Sequence, residues 1–102
     1  MKIKNIEDLD AWKEAILFCE MIYKLANKLP IKHLRASARG VAANIAERFG
    51  RYFYKENLRF YGIAKGCLNE VKSDLNICLR IEYITQENLM SIFFKQIRLN
   101  QY

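Results

Sequence analysis

The most informative stretch of this chain reads Val-Ala-Ala-Asn-Ile-Ala-Glu-Arg-Phe-Gly-Arg, residues 41–51. Its apolar residues follow the 3.6-residue period of an α-helix, and alanines stand where a solitary surface helix would not need them. Asn44 and Glu47 lie among these alanines and branched apolar residues. A second stretch of the same character, residues 60–70, reads Phe-Tyr-Gly-Ile-Ala-Lys-Gly-Cys-Leu-Asn-Glu. Small side chains let helices approach closely, so these stretches indicate a tightly packed helical bundle.

The helical period extends over nearly the whole chain and predicts four helices. Pro30 should end the first one, because proline disfavours helical geometry in the residue before it. Gly50 is a natural left-handed stop for the second helix, and Thr85 is the expected N-cap of a short fourth helix. Short connections favour antiparallel neighbours, so we expect one all-α domain over residues 1–102, an antiparallel up-down-up-down four-helix bundle. The predicted helices cover about 7–29, 31–49, 54–83 and, after Thr85, the residues to about 100.

Each predicted helix carries an apolar seam. Gly62 and Gly66 interrupt the third helix, where each costs about 1 kcal/mol relative to alanine, so we expect a kink or a close neighbour there. Apolar residues outside the seams, among them Phe60, Ile63, Ile77, Ile81, Ile84 and Ala42, indicate self-association. The expected seam residues are Leu9, Trp12, Ala15, Ile16, Cys19, Ile22, Tyr23, Ala26 and Leu29, then Leu34, Ala38, Val41, Ile45 and Phe49, then Leu58, Tyr61, Ala64, Leu68, Val71, Leu75, Cys78 and Leu79, and in the fourth helix Leu89, Ile92, Phe93, Gln96 and Ile97.

The composition argues against several classes of protein. The three cysteines form no Cys-x-x-Cys pair and only one histidine is present, so no metal site and no cofactor is expected. All three thiols fall at apolar helical positions, as expected of free cysteines in a reducing cytoplasm. The N-terminal residues lack the apolar run of a signal peptide, and no apolar stretch approaches the ~20 residues of a membrane span. We expect a soluble cytoplasmic protein without a membrane partner.

The positive charge is concentrated in the middle of the chain. Between Lys24 and Lys65 there are ten basic and two acidic residues, a net charge of +8, whereas the remainder carries −2. Such asymmetry favours an anionic partner. Aromatic residues interleave the second half of this segment, as in proteins that hold single-stranded nucleic acid, but the favoured interpretation places these rings in the core or at a subunit interface. The candidate phosphate contacts are Lys28, Lys32, Arg35, Arg39, Arg48, Arg51 and Lys55.

Three motifs carry a resemblance to a known family. They are Asp8-Leu9-x-x-Trp12, Asn44-Ile-Ala-Glu47 followed by Gly50-Arg51, and the segment from Phe60 to Glu70 with its Ile-Ala-x-Gly centre. In this order they resemble the small four-helix-bundle proteins encoded in intervening sequences of bacterial large-subunit ribosomal RNA genes. Relatives of that family are accessory proteins of diversity-generating retroelements. The resemblance implies a helical subunit that assembles into a homopentamer without catalysis, and association with nucleic acid or a reverse transcriptase.

Asn44 and Glu47 are interpreted first as a polar network that fixes helix register. A binding role is the alternative, since buried polar groups need partners. General acid–base catalysis would need a second carboxylate, a histidine or a nucleophile at useful spacing, and the sequence offers none. His33 is expected to be a solvated residue at a helix start. No enzymatic activity is expected.

Two functions remain open at this point. The first is a non-enzymatic homo-oligomeric protein whose basic face binds RNA or DNA as an accessory factor. The alternative is an oligomeric scaffold that recruits an acidic protein and has no role with nucleic acid.

Overall fold

The computed structural model describes residues 5–50 and 54–91, with residues 54–56 described by their backbone alone. Every regular element in these ranges is helical, and no strand occurs among them. A short 3₁₀ turn at Ile6–Asp8 precedes α1 (Asp10–Ala26), α2 (Leu34–Phe49) and α3 (Tyr54–Arg80). A fourth helix, α4, begins at residue 86 and is described to residue 91. Its predicted continuation to about residue 100 lies outside the described residues.

Helix α1 is about three residues shorter than predicted at each end, whereas α2 begins about three residues later than predicted and ends at Phe49, as predicted. Helix α1 ends at Ala26, because the N–H groups of Lys28 and Leu29 bond three residues back and tighten the chain ahead of Pro30. Gly50 caps α2 with a φ of −82°, so the expected left-handed stop is wrong.

The left-handed residue lies instead after α3. Glu82 has a φ of 65°, its N–H bonds to the Leu79 carbonyl, and the Tyr83 N–H bonds to the Cys78 carbonyl. These are the two bonds of a Schellman motif. The Thr85 prediction is confirmed, because its hydroxyl accepts a hydrogen bond from the Asn88 N–H at 3.2 Å.

One hydrophobic core joins α1, α2, α3 and the described part of α4. Helix α2 supplies Leu34, Ala38 and Val41, as predicted, and packs against both α1 and α3. The buried face of α1 includes Phe18, which the predicted seam did not contain. The helix is rotated accordingly, and Tyr23 is exposed. The other core residues are Ala15, Ile22, Ala42, Leu68, Val71, Leu75, Cys78, Ile84 and Leu89. Burial of Ala42 and Ile84 corrects their assignment to surplus surface.

The N-terminal half of α3 also differs from its predicted seam. Leu58 is 50% exposed, and Asn57 takes the inward position one residue earlier. Helix α3 continues unbroken through Gly62 and Gly66, and neither glycine has a neighbour within 4 Å of where a β-carbon would lie. The expected close neighbour is therefore wrong for these two glycines within the described chain.

A third glycine marks the close approach of α2 and α3. A β-carbon on Gly40 would lie 2.7 Å from the Cys67 sulfur. One turn earlier on α2, the buried Ser37 hydroxyl donates to a Glu70 carboxylate oxygen at 2.8 Å. Packing and a hydrogen bond thus fix the same part of the α2–α3 contact.

Candidate nucleic-acid interface

Exposed cations lie in the connection between α1 and α2 and in the first half of α2. Lys28, Lys32, Arg35 and Arg39 are all on the surface. The Arg35 guanidinium stacks 5.5 Å from the centre of the Tyr23 ring, and it donates to the Asn27 side-chain oxygen and to the Tyr23 carbonyl. We call Tyr23, Asn27 and Arg35 the Tyr23 cluster. Its arginine is held in one orientation while remaining open to solvent.

A second group of cations lies at the other end of α2. The Arg48 guanidinium and the Lys65 ammonium each stand 5.0 Å from the centre of the Tyr61 ring. Both cations are exposed, and Tyr61 is half-buried. We call these three residues the Tyr61 cluster. It borders a cavity of about 330 Å³ between the start of α1, the end of α2 and the first half of α3.

The predicted cations therefore fall into two groups. Arg48 follows Arg39 by nine residues, which places it about 13.5 Å further along α2 and on the opposite side of the helix. Arg51 lies outside the described residues. Lys55 belongs to α3, but its side chain is not among those described. The aromatic residues Phe49 and Phe60 are half-buried, so packing accounts for part of their surface.

The polar pair of α2 is only partly buried. Asn44 is half-buried and donates to the Gly40 carbonyl of its own helix at 2.7 Å, whereas Glu47 is exposed. The Asn44 bond does not join α2 to another helix. The proposed network that fixes helix register stays a prediction.

A carboxylate pair lies between α2 and α3. His33, Ser37, Glu70, Ser73 and Asp74 line an open cavity of about 420 Å³. Burial, and then the Glu70 charge, raise the pKa of Asp74, while His33 opposes them. Because the Ser37 hydroxyl donates to Glu70, that carboxylate anchors the serine in place.

The family follows from the sequence match. The family model described as 23S rRNA-intervening sequence protein matches residues 7–101. The chain belongs to that family. No curated protein matches this chain.

The cysteines of this intervening sequence protein are free, and burial raises the pKa of all three thiols. Glu70 raises the pKa of Cys67 further, and Asp74 does so for Cys78. At Cys19 the Glu20 charge also raises the pKa, while Arg39 lowers it. The thiols are therefore poor nucleophiles at neutral pH.

Two further features are absent from the part of the chain that the structure describes. Its residues include no group of three or more histidine, cysteine or acidic side chains placed to hold a metal ion. Its helices include none with the length and apolar composition needed to cross a bilayer.

Sequence reasoning missed Lys65, Tyr23 and Asn27 of these clusters. Lys65 was counted as a charge but not as a site residue, although it lies one turn after Tyr61 on the same side of α3. Tyr23 was assigned to the α1 seam, and its exposure depends on how α1 is rotated in the fold. Helical spacing could have indicated Lys65, whereas Tyr23 required the structure.

Proposed function

We propose that this chain is a non-enzymatic, cytoplasmic helical protein that binds RNA or DNA through its exposed cations, as an accessory factor of a nucleic-acid process. One observation carries the proposal. Lys28, Lys32, Arg35, Arg39 and Arg48 are exposed, and within the described residues none of them pairs with a carboxylate. Their charges are thus available to an external anion.

The chemistry of the two clusters favours phosphate. Arginine presents several donors in a fixed plane, which suits a phosphate better than a mobile ammonium does. Arg35 and Arg48 are each stacked on a tyrosine ring, so less freedom is lost when a phosphate binds. Cations beside aromatic rings are also the elements with which proteins bind single strands.

A salt titration tests the proposal. If five phosphates are neutralised, the slope of log K against log salt on duplex DNA should be about −4 to −5. The double variant Arg35→Gln/Arg39→Gln should reduce the magnitude of that slope by about 2, because each lost phosphate contact removes about one unit. Fluorescence anisotropy with labelled duplex and single-stranded oligonucleotides gives both values.

Arg80→Gln is the matched control. Arg80 is an exposed arginine in the last turn of α3, outside both clusters. This variant should keep the slope of the unaltered protein. Absence of binding near 50 mM salt, or equal slopes for the three proteins, would rule out the proposed basic face.

We extend the proposal to an antiparallel up-down-up-down bundle. The α2–α3 contacts support it, because Ser37 meets Glu70 whereas Arg48, further along α2, meets Tyr61, which is earlier in α3. The α1–α2 contacts support the same reversal, because Arg35 contacts Tyr23 whereas Arg39, further along α2, acts on the pKa of Cys19, which is earlier in α1.

We also propose that the protein is a homo-oligomer, a pentamer according to the resemblance noted in the sequence. Ile63 and Ile77 are 41% and 46% exposed and lie on one side of α3, and Ile81, which is 49% exposed, continues that side just after the helix ends; we call these three residues the outer stripe. Exposed apolar side chains aligned along a helix favour association between identical copies.

The outer stripe also supports the second candidate function, an oligomeric scaffold for an acidic protein partner. Separately from this scaffold, the resemblance to accessory proteins of retroelements implies a reverse transcriptase as a protein partner. The scaffold predicts a stable complex that survives nuclease treatment. Affinity purification from the native host that recovers only this chain and nucleic acid would contradict it.

A further inference from the structure

The cavity beside the Tyr61 cluster has an unusual combination of walls. Its interior is formed largely by apolar side chains of α2 and α3, including Val41, Ile45 and Leu68. Arg48 and Lys65 also line it, and since both are exposed they lie where it meets solvent. A volume of about 330 Å³ is at the lower end of the range for small-ligand pockets.

Asn57 adds a polar group to this cavity. Its side-chain oxygen is buried and has no hydrogen-bond partner among the described residues. The residue takes an inward position on α3, where the helical seam would otherwise hold an apolar side chain. A buried acceptor without a donor is unfavourable, so a ligand that brings an N–H group gains by supplying one.

These groups together restrict the ligand. An anionic group would be held by the two cations, and an apolar surface would pack against the cavity walls. A fatty acid offers both, but its chain has no donor for the Asn57 oxygen. A nucleotide offers a phosphate, two apolar ring faces, and N–H groups on the edge of the base.

We propose that this cavity receives one unstacked nucleobase, with its phosphate on Arg48 and Lys65 and its edge donating to the Asn57 side-chain oxygen. For a base within a strand, the inference rests on the function proposed above. The same chemistry is present in a free mononucleotide. Extruded and single-stranded bases are commonly held in this way, by packing on their faces and hydrogen bonds to their edges.

The test measures the contribution of one base to binding separately from the contribution of the phosphates. Two single strands of abasic sugar-phosphates are compared. The first carries a single central adenine, and the second, of equal length, carries no base at all, so both present the same charge. We expect the adenine-bearing strand to bind about tenfold more tightly, the size of a single base contact. Adenosine monophosphate, titrated into the protein and followed by NMR chemical shifts, is the free-nucleotide arm.

Asn57→Leu removes the acceptor and keeps the approximate shape of the side chain. The variant should fold, because it replaces a buried unpaired polar group with an apolar one. It should lose the advantage of the adenine-bearing strand. Asn69→Leu, at an exposed position on the same helix and outside the cavity, should retain that advantage.

The outcomes distinguish the two proposals. Equal binding of both strands would overturn the base cavity and leave the basic face intact. Binding of adenosine monophosphate that depends on Asn57, with no binding of either strand, would support the cavity and overturn the basic face. No binding in any arm would overturn both, and an adenine advantage that survives Asn57→Leu would overturn the role of the cavity.

Discussion

The close approach of α2 and α3 depends on a single missing side chain. Gly40 faces the Cys67 sulfur, and a β-carbon would come within 2.7 Å of it. Gly66, by contrast, faces open space in the described chain. Two glycines of the same protein thus have different consequences for packing, although both lie inside helices.

Alanine substitutions should separate these two positions. Gly66→Ala should stabilise the protein by about 1 kcal/mol, because alanine is the better helix former. Gly40→Ala gains the same propensity but crowds Cys67, so its free energy of unfolding should be about 1–3 kcal/mol lower than that of Gly66→Ala. Urea unfolding followed by circular dichroism measures both.

Cys67→Ala provides the control for this prediction. Cys67→Ala removes the sulfur that the new methyl group would contact. When it is combined with Gly40→Ala, the difference in free energy of unfolding from the matching Gly66→Ala/Cys67→Ala variant should therefore be smaller. Equal stabilisation by the two glycine substitutions would show that the α2–α3 contact is looser than described.

Asp74 gives the protein a predicted response to pH. Its pKa is raised above the ordinary 3.8, so its ionised form is disfavoured by folding. The favourable contribution of the protonated Asp74 carboxyl to the free energy of unfolding is fully present below pH 3.8, and it is lost as the pH rises through the raised pKa. Asp74→Asn should therefore be the more stable protein at neutral pH, by a few tenths of a kcal/mol, the size of one like-charge pair on a helix.

Thermal unfolding from pH 3 to pH 7 measures this difference. The advantage of Asp74→Asn should shrink as the pH falls and the native carboxyl becomes protonated. Asp8→Asn, an exposed acid at the start of the chain, should show no such advantage. An advantage of Asp74→Asn that is constant across the pH range would contradict the assignment to Asp74 ionisation.

At the scale of the helix, periodicity predicted most of the fold. Four helices were expected, and residues 5–50 and 54–91 contain four α-helices, because apolar spacing and a proline are read directly from the sequence. The errors arose where a shift of one residue, which is about 100° around a helix, decides whether a side chain faces the core or the solvent. Leu58 was favoured for the core because it is apolar, but the seam of α3 passes through Asn57.

The candidate site was predicted less completely. Sequence spacing placed Arg35 and Arg48 in two separate runs of cations, and only the predicted function assigned both runs to a single basic face. Their separation depends on the rotation of α2 and on which tyrosine lies beside each guanidinium. Those are properties of packing between helices, and a pattern along one helix does not contain them.

The end of α3 yields a prediction about helix termination. Glu82 adopts a left-handed conformation that glycine adopts without strain, in a motif where glycine is the usual residue. Glu82→Gly should raise the free energy of unfolding by about 0.5–1 kcal/mol, a gain limited by the greater freedom of glycine in the unfolded chain. Chemical denaturation measures the change.

Glu82→Ala separates conformation from charge in that experiment. Alanine removes the carboxylate but keeps the β-carbon, so it should not reproduce the gain. If both substitutions stabilise equally, the left-handed conformation is not the cause.

At the scale of the whole molecule, the outer stripe is the feature that one subunit leaves uncovered. Helix α3 has 27 residues and is about 40 Å long, close to the 45 Å longest dimension of the molecule. Ile63 and Ile77 stand two heptads apart on it, a spacing that suits packing against a helix of another copy.

Charge substitution on the stripe tests the proposed oligomer. Ile63→Glu/Ile77→Glu should convert it to monomers, because packing would bury two unpaired carboxylates in each subunit. Light scattering coupled to size exclusion gives the mass. Leu17→Glu, at a similarly exposed position on α1, should leave the mass unchanged. A monomeric unaltered protein at high concentration would contradict the proposal.

The position of α2 between its two neighbours in the chain has a consequence for how quickly the structure forms. Its partners α1 and α3 immediately precede and follow it, so most helix-to-helix contacts close short loops. Proteins with such local topology fold in microseconds to milliseconds. A newly made chain would therefore expose its core side chains, such as Ile22 and Leu75, only briefly before its helices come together.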